Sequence, residues 1–163
     1  MLQEAGEKVT RVDVGYDIGT AGLTVSLPIE LNAPDGIRVG TTVNEVAFPT
    51  KWLQFEEVRG APLVEAEVTA NLKHDGENTD DAIVQIAVTG KQGMALPNGI
   101  IASVVFKISA EAKGPQALKL RNAARALSAN APPDPIEPVT GRDGEIELLD
   151  VPPAAVACFF YMH

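Results

Sequence analysis

The side chains able to do acid–base or metal chemistry are few in this sequence, and they are not arranged to cooperate. There are two histidines, His74 and His163. General acid–base catalysis needs such a group within hydrogen-bond reach of a nucleophile or a second titrating partner. His74 lies in the turn-rich stretch "NLKHDGEN", and His163 closes an apolar run. No Gly-x-Ser-x-Gly, His-Glu-x-x-His or glycine-rich phosphate loop is present. The adjacent carboxylates Glu56–Glu57 and Asp80–Asp81 would point to opposite faces of a strand, which argues against a shared proton. The stretch "HDGENTDD" places Asp75, Glu77, Asp80 and Asp81 within seven residues. Oxygen-rich loops can hold calcium, but the Asp-x-Asp-x-Asp-Gly order with a distal Glu is missing. The segment reads instead as a solvated hairpin tip turning at Asp75–Gly76. The expectation is a protein that is not an enzyme and carries no cofactor or metal.

Charge narrows the partners. Thirteen Lys and Arg against twenty-two Asp and Glu leave a net charge of −9. Such a surface is repelled by phosphate backbones and anionic lipid heads, so nucleic acid and membrane surfaces are poor partners. No run approaches the ~20 apolar residues of a membrane span. The single cysteine, Cys158, excludes an internal disulfide. It sits in the apolar tail "AVACFFYMH", whose Phe159, Phe160 and Tyr161 form a candidate contact. One reading folds this tail back on the sandwich. The other makes it a homo-oligomer joint, with Cys158 paired between chains. The N-terminal "MLQEAGEKVT" lacks the apolar core of a leader, so either the protein stays inside or a leader has been removed.

The elements that position these side chains are strands. The period is two in "TRVDVGYDI", "GLTVSLPIEL", "IRVGTTVNEVAF", "LVEAEVTANL", "DAIVQIAVTG", "GIIASVVFKIS", "QALKLRNA" and "GEIELLDV". Gly-, Pro-, Asn- and Asp-rich turns separate them. "NAARALSAN" (122–130) reads as a strand running on into a loop. Seven to nine short strands with regular turns predict an all-β, antiparallel sandwich.

The aromatic stretch "AFPTKWLQFEEV" (47–58) is either a binding platform or a plug closing a core. Pro49 cannot continue a central ladder, so the strand breaks there. The burial gain of large apolar side chains, roughly 1.5–3 kcal/mol each, favours a plug. Leu53 and Phe55 should then point inward, with Trp52 partly covered and Lys51 exposed.

"VAFPTKWLQFEEV" resembles the cohesin segment in which a strand ends in an aromatic, followed by Asp-Pro, a short turn, Leu-x-Phe and a valine-rich strand. "NGIIASVVFKIS" resembles a later cohesin strand, and "PDPIEPVTGRDGEIEL" the closing part. The resemblance spans residues 10–150. It leaves 1–9 as an N-terminal extension and 151–163 as an apolar C-terminal tail. It implies a jelly-roll sandwich of about nine strands and a non-catalytic role. Cohesins are receptors that present one flat sheet face to dockerin modules in exported or cell-surface assemblies, and the calcium belongs to the dockerin. Where many cohesins carry outward Asn and Asp, this sequence has Thr41 and Val43, followed by Glu45. Pro49 stands in the place of the corner Asp. A valine cannot act as a carboxylate acceptor, so the departure points to a different protein partner.

Strand alternation combined with that topology predicts a protein-binding face of Thr41, Val43, Glu45, Ile83, Gln85 and Ala87. The expected function is a scaffolding or adaptor module binding another protein, dockerin-like, at an extracellular or cell-envelope location with its leader removed. Two alternatives stand beside it. One is a carbohydrate-binding module, which would align exposed aromatics such as Trp52, Tyr16 and Tyr161 for a polysaccharide. The other is a self-assembling envelope subunit joined through the tail.

Overall fold

The computed structural model describes residues 9–74 and 80–150, without the side chain of His74. Among the described residues there are eleven strands. They are β1 (Thr10–Val14), β2 (Tyr16–Gly19), β3 (Thr24–Asn32), β4 (Val39–Pro49), β5 (Leu53–Gly60), β6 (Ala66–His74), β7 (Asp81–Gly90), β8 (Gly99–Ile108), β9 (Gln116–Ser128), β10 (Val139–Thr140) and β11 (Gly144–Leu148). They form a five-stranded sheet, β10-β1-β3-β8-β5, and a six-stranded sheet, β2-β11-β9-β4-β7-β6. The two sheets make the expected jelly-roll sandwich. The expected strand near residue 63 begins at Ala66 instead, and Leu63 is almost fully exposed. "NAARALSAN" does continue the preceding strand, as far as Ser128.

Alternation builds the core. On β3, Val25, Leu27, Ile29 and Leu31 are buried, while Thr24, Ser26, Glu30 and Asn32 are exposed. On β7, Ala82, Val84, Ile86 and Val88 point inward. The aromatic stretch is a plug. Phe48 and Leu53 are buried, and Trp52 and Phe55 are partly buried against the core. Phe106 of β8 is the hub, with its ring centroid 5.0 Å from Phe48 and 6.2 Å from Phe55. Lys51 is exposed, its Nζ 4.7 Å from the centroid of Trp52.

"TRVDVGYDI" reads as one strand but folds as two, because Gly15 carries the chain from one sheet to the other. A Cβ at Gly15 would lie 2.6 Å from the Pro28 ring, so the crossing needs glycine. Where β1 leaves β3, the carboxylate of Asp17 takes its place. Its Oδ2 accepts the Ser26 N–H at 2.9 Å, and its Oδ1 accepts the Ile18 N–H on the edge strand β2 at 2.8 Å.

A polar clamp ties the sheets together. Asn44 on β4 is fully buried, and its Nδ2 donates to the Val12 carbonyl (3.2 Å) and to Oδ1 of Asn122 (2.9 Å). Asn122 on β9 donates from its own Nδ2 to the carbonyls of Val12 and Arg142, both at 3.0 Å. Gly141 leaves room for this amide, since a Cβ there would fall 2.5 Å from Asn122 Nδ2.

Two outcomes test this architecture. Phe106→Ala should lower unfolding free energy by about 3–5 kcal/mol through a lost ring and a residual cavity, measured by urea denaturation. Asn122→Ala should cost about 1–2 kcal/mol by removing three hydrogen bonds whose partners each keep one other, and Asn122→Asp, which lacks the donors, should be no better. A loss below about 0.5 kcal/mol for both Asn122 variants would show that the clamp is dispensable.

Candidate functional site

The outward face of β9-β4-β7-β6 is built from residues of one parity on each strand. β4 is the spine, because it pairs with β7 on one side and β9 on the other. Its inward residues Thr42, Asn44, Val46 and Phe48 are buried, which forces Thr41, Val43, Glu45 and Ala47 outward. The registers then place residues in four rows. Leu127, Thr41, Thr89 and Glu67 form the first, and Arg125, Val43, Ala87 and Thr69 the second. Ala123, Glu45, Gln85 and Asn71 form the third, and Arg121, Ala47, Ile83 and Lys73 the fourth.

All six residues expected on a binding face lie on this surface, each half-buried. Val43 is directly opposite Ala87, and Glu45 directly opposite Gln85. Thr41 faces Thr89, with Thr41 Oγ1 donating to Thr89 Oγ1 at 3.3 Å, and Ile83 faces Ala47. Sequence reasoning missed the flanking strands, which bring Arg121, Ala123 and Arg125 on one side and Thr69, Asn71 and Lys73 on the other. A signal was present in "QALKLRNAARALS", where Lys119, Arg121 and Arg125 share one parity of a thirteen-residue strand.

The middle of the face combines the small residues Val43, Ala87 and Ala123 with Glu45, whose charge is paired. The Glu45 carboxylate lies 2.9 Å from Lys73 Nζ and 3.7 Å from an Arg125 guanidinium nitrogen. Arg121 lies 3.3 Å from Asp81. Exposed pairs of this kind contribute about 0–1 kcal/mol, so they can be exchanged for contacts with a partner at little cost. Small apolar residues and paired polar ones therefore stand side by side on this surface.

The other candidates do not assemble here. Among the described residues no three His, Cys, Asp or Glu side chains are grouped to hold a metal. No helix among them is long and apolar enough to cross a membrane. Tyr16 is exposed on β2, in the six-stranded sheet, whereas Trp52 precedes β5 of the other sheet. Residues 75–79, Phe159, Phe160, Tyr161 and His163 lie outside the described residues, as does the side chain of His74.

No family model and no curated protein sequence matches this chain. Solved structures do. The third cohesin of ScaC from Acetivibrio cellulolyticus, solved in complex with the ScaB dockerin, superposes with a TM-score of 0.69 at 20% identity. That match covers 86% of this chain and 99% of the other. The type I cohesin–dockerin complex of OlpA from Clostridium thermocellum gives a TM-score of 0.68 at 13% identity, with coverage of 86% and 99%. A non-cellulosomal cohesin from the archaeon Archaeoglobus fulgidus gives 0.59 at 16% identity, with coverage of 95% and 99%. Across sequences this distant the likeness is one of architecture: this chain has the fold that these cohesin domains have.

Proposed function

We propose that this domain is a non-catalytic protein-binding module, a scaffold or adaptor that receives another protein flat on the outward face of β9-β4-β7-β6. One observation carries the reading. Four strands meet in register to present a broad surface on which Val43, Ala87 and Ala123 are small and uncharged, and the one charge on its central strand, Glu45, is held by Lys73 and Arg125. Small side chains beside a paired charge let a partner's backbone approach closely. Support also comes from the similar structures, two of which are complexes of cohesins with dockerins. The partner in this reading is a dockerin-like protein, and the setting is extracellular or on the cell envelope.

The test is capture of a partner by the immobilised domain, from secreted and envelope fractions, with calcium and with chelator. Ala87→Trp and Ala123→Trp each raise a bulky ring on the face without changing its charge. Both should weaken retention of the partner on the order of tenfold or more while leaving the circular dichroism spectrum unchanged. Loss on chelation would identify a calcium-folded partner. A partner retained equally by wild type and both variants, or retention of polysaccharide alone, would overturn the proposal.

A further inference from the structure

Beside the face lies a groove of about 760 Å³ that shares Val43 and Arg125 with it. It exists because the chain after β9 changes sheets. Ser128 N–H donates to the Asp134 carbonyl (2.8 Å) and Ile136 N–H to the Ala126 carbonyl (3.0 Å), which holds the first part of this strap against β9. Two residues later the Pro138 carbonyl accepts the Thr10 N–H at 3.2 Å, and β10 joins the five-stranded sheet. The strap therefore diverges from β9, and Leu127, Ile136 and Val139 line the opening.

The floor of the groove suits a polypeptide. The Ala126 carbonyl faces the strap, and peptide groups two residues apart in a strand face the same way. The Ala124 peptide group thus points toward the groove. It lies between Ala126 and Asn122, whose N–H donates to Asp143 Oδ1 at 2.9 Å.

The walls carry one cation and one anion. Arg125 stands on the sheet side and Glu137 on the strap side. Arg125 has a 63% exposed side chain, and the Glu45 carboxylate 3.7 Å from it is held closer by Lys73 at 2.9 Å. A guanidinium has five donors in a planar fork, so most of its capacity faces outward. On β9 the cations Lys119, Arg121 and Arg125 share the outward side, and of these Arg125 is the one that reaches the groove.

We infer that the partner presents a carboxylate next to a branched apolar side chain. The carboxylate takes the fork of Arg125, and the apolar side chain enters the groove between Leu127, Ile136 and Val139. This rests on the face being a protein-binding surface and names the chemistry that the face selects. Glu137 opposes an acidic occupant, so it and Arg125 have effects of opposite sign.

The test selects random peptides displayed on phage against the immobilised domain, then measures the winners by fluorescence polarisation. Enriched sequences should pair Leu, Ile or Val with a neighbouring Asp or Glu. Arg125→Glu should weaken them on the order of tenfold or more, and Glu137→Lys should tighten them, the thermal midpoint of both variants staying at the wild-type value. No enrichment, winners without a carboxylate, or affinity indifferent to Arg125→Glu would overturn the inference. The same variants separate it from the broader reading. Partner capture abolished by Ala87→Trp and Ala123→Trp but untouched by Arg125→Glu overturns the inference alone, and capture indifferent to all three overturns both.

Discussion

One buried asparagine, Asn44, and a half-buried one, Asn122, tie the two apolar sheets of this sandwich to each other. An amide taken out of water costs free energy unless it finds partners. The Nδ2 groups of Asn44 and Asn122 find theirs in Asn122 Oδ1 and in the Val12 and Arg142 carbonyls, while Asn44 Oδ1 is buried without a partner among the described residues. Apolar contacts are tolerant of sliding, whereas a hydrogen bond is lost within a fraction of an ångström. The clamp therefore fixes the offset between β4 and β9 in one sheet and β1 in the other. It sits where β9 passes from β11 as neighbour to the strap, so the divergence that opens the groove begins at a point fixed against the opposite sheet.

From β4 the order propagates outward. Its inward parity is dictated by Val46 and Phe48, which have to reach the core, and by Asn44, which has to reach Val12. A slip of one residue would bring Glu45 inward and send Phe48 into solvent. The outward parity, and with it the make-up of the outer face, follows from that single constraint. The same residues serve stability on one side of the strand and recognition on the other.

Much of this was legible in the residues. Period-two alternation located the long strands and the inward and outward parities of β4 and β7, because those strands each bury one face against a core. The aromatic plug was legible because Phe48, Leu53 and Phe55 have more to gain from burial than from display. The sheet change at Gly15 was hidden, since alternation continues through it and only the approach of Pro28 requires glycine there. β10 was hidden from the pattern for a related reason, though the resemblance of "PDPIEPVTGRDGEIEL" to the closing part of cohesins implies a strand there. Its two residues carry no pattern and are a strand only because β1 lies beside them. The basic column and the groove depend on β9 pairing with β4 across some eighty positions of chain, and no local period encodes that.

The bridge made by Asp17 has a further meaning for how copies of this domain behave together. A free sheet edge is a template on which a stray strand can grow. On β2 the Ile18 amide is already claimed by a carboxylate of its own strand, and that carboxylate is anchored through Ser26 to the opposite sheet. A second chain would have to displace an anchored negative charge to pair there. Under crowding, the β2 edge is thus guarded against a second chain by a side chain within its own fold.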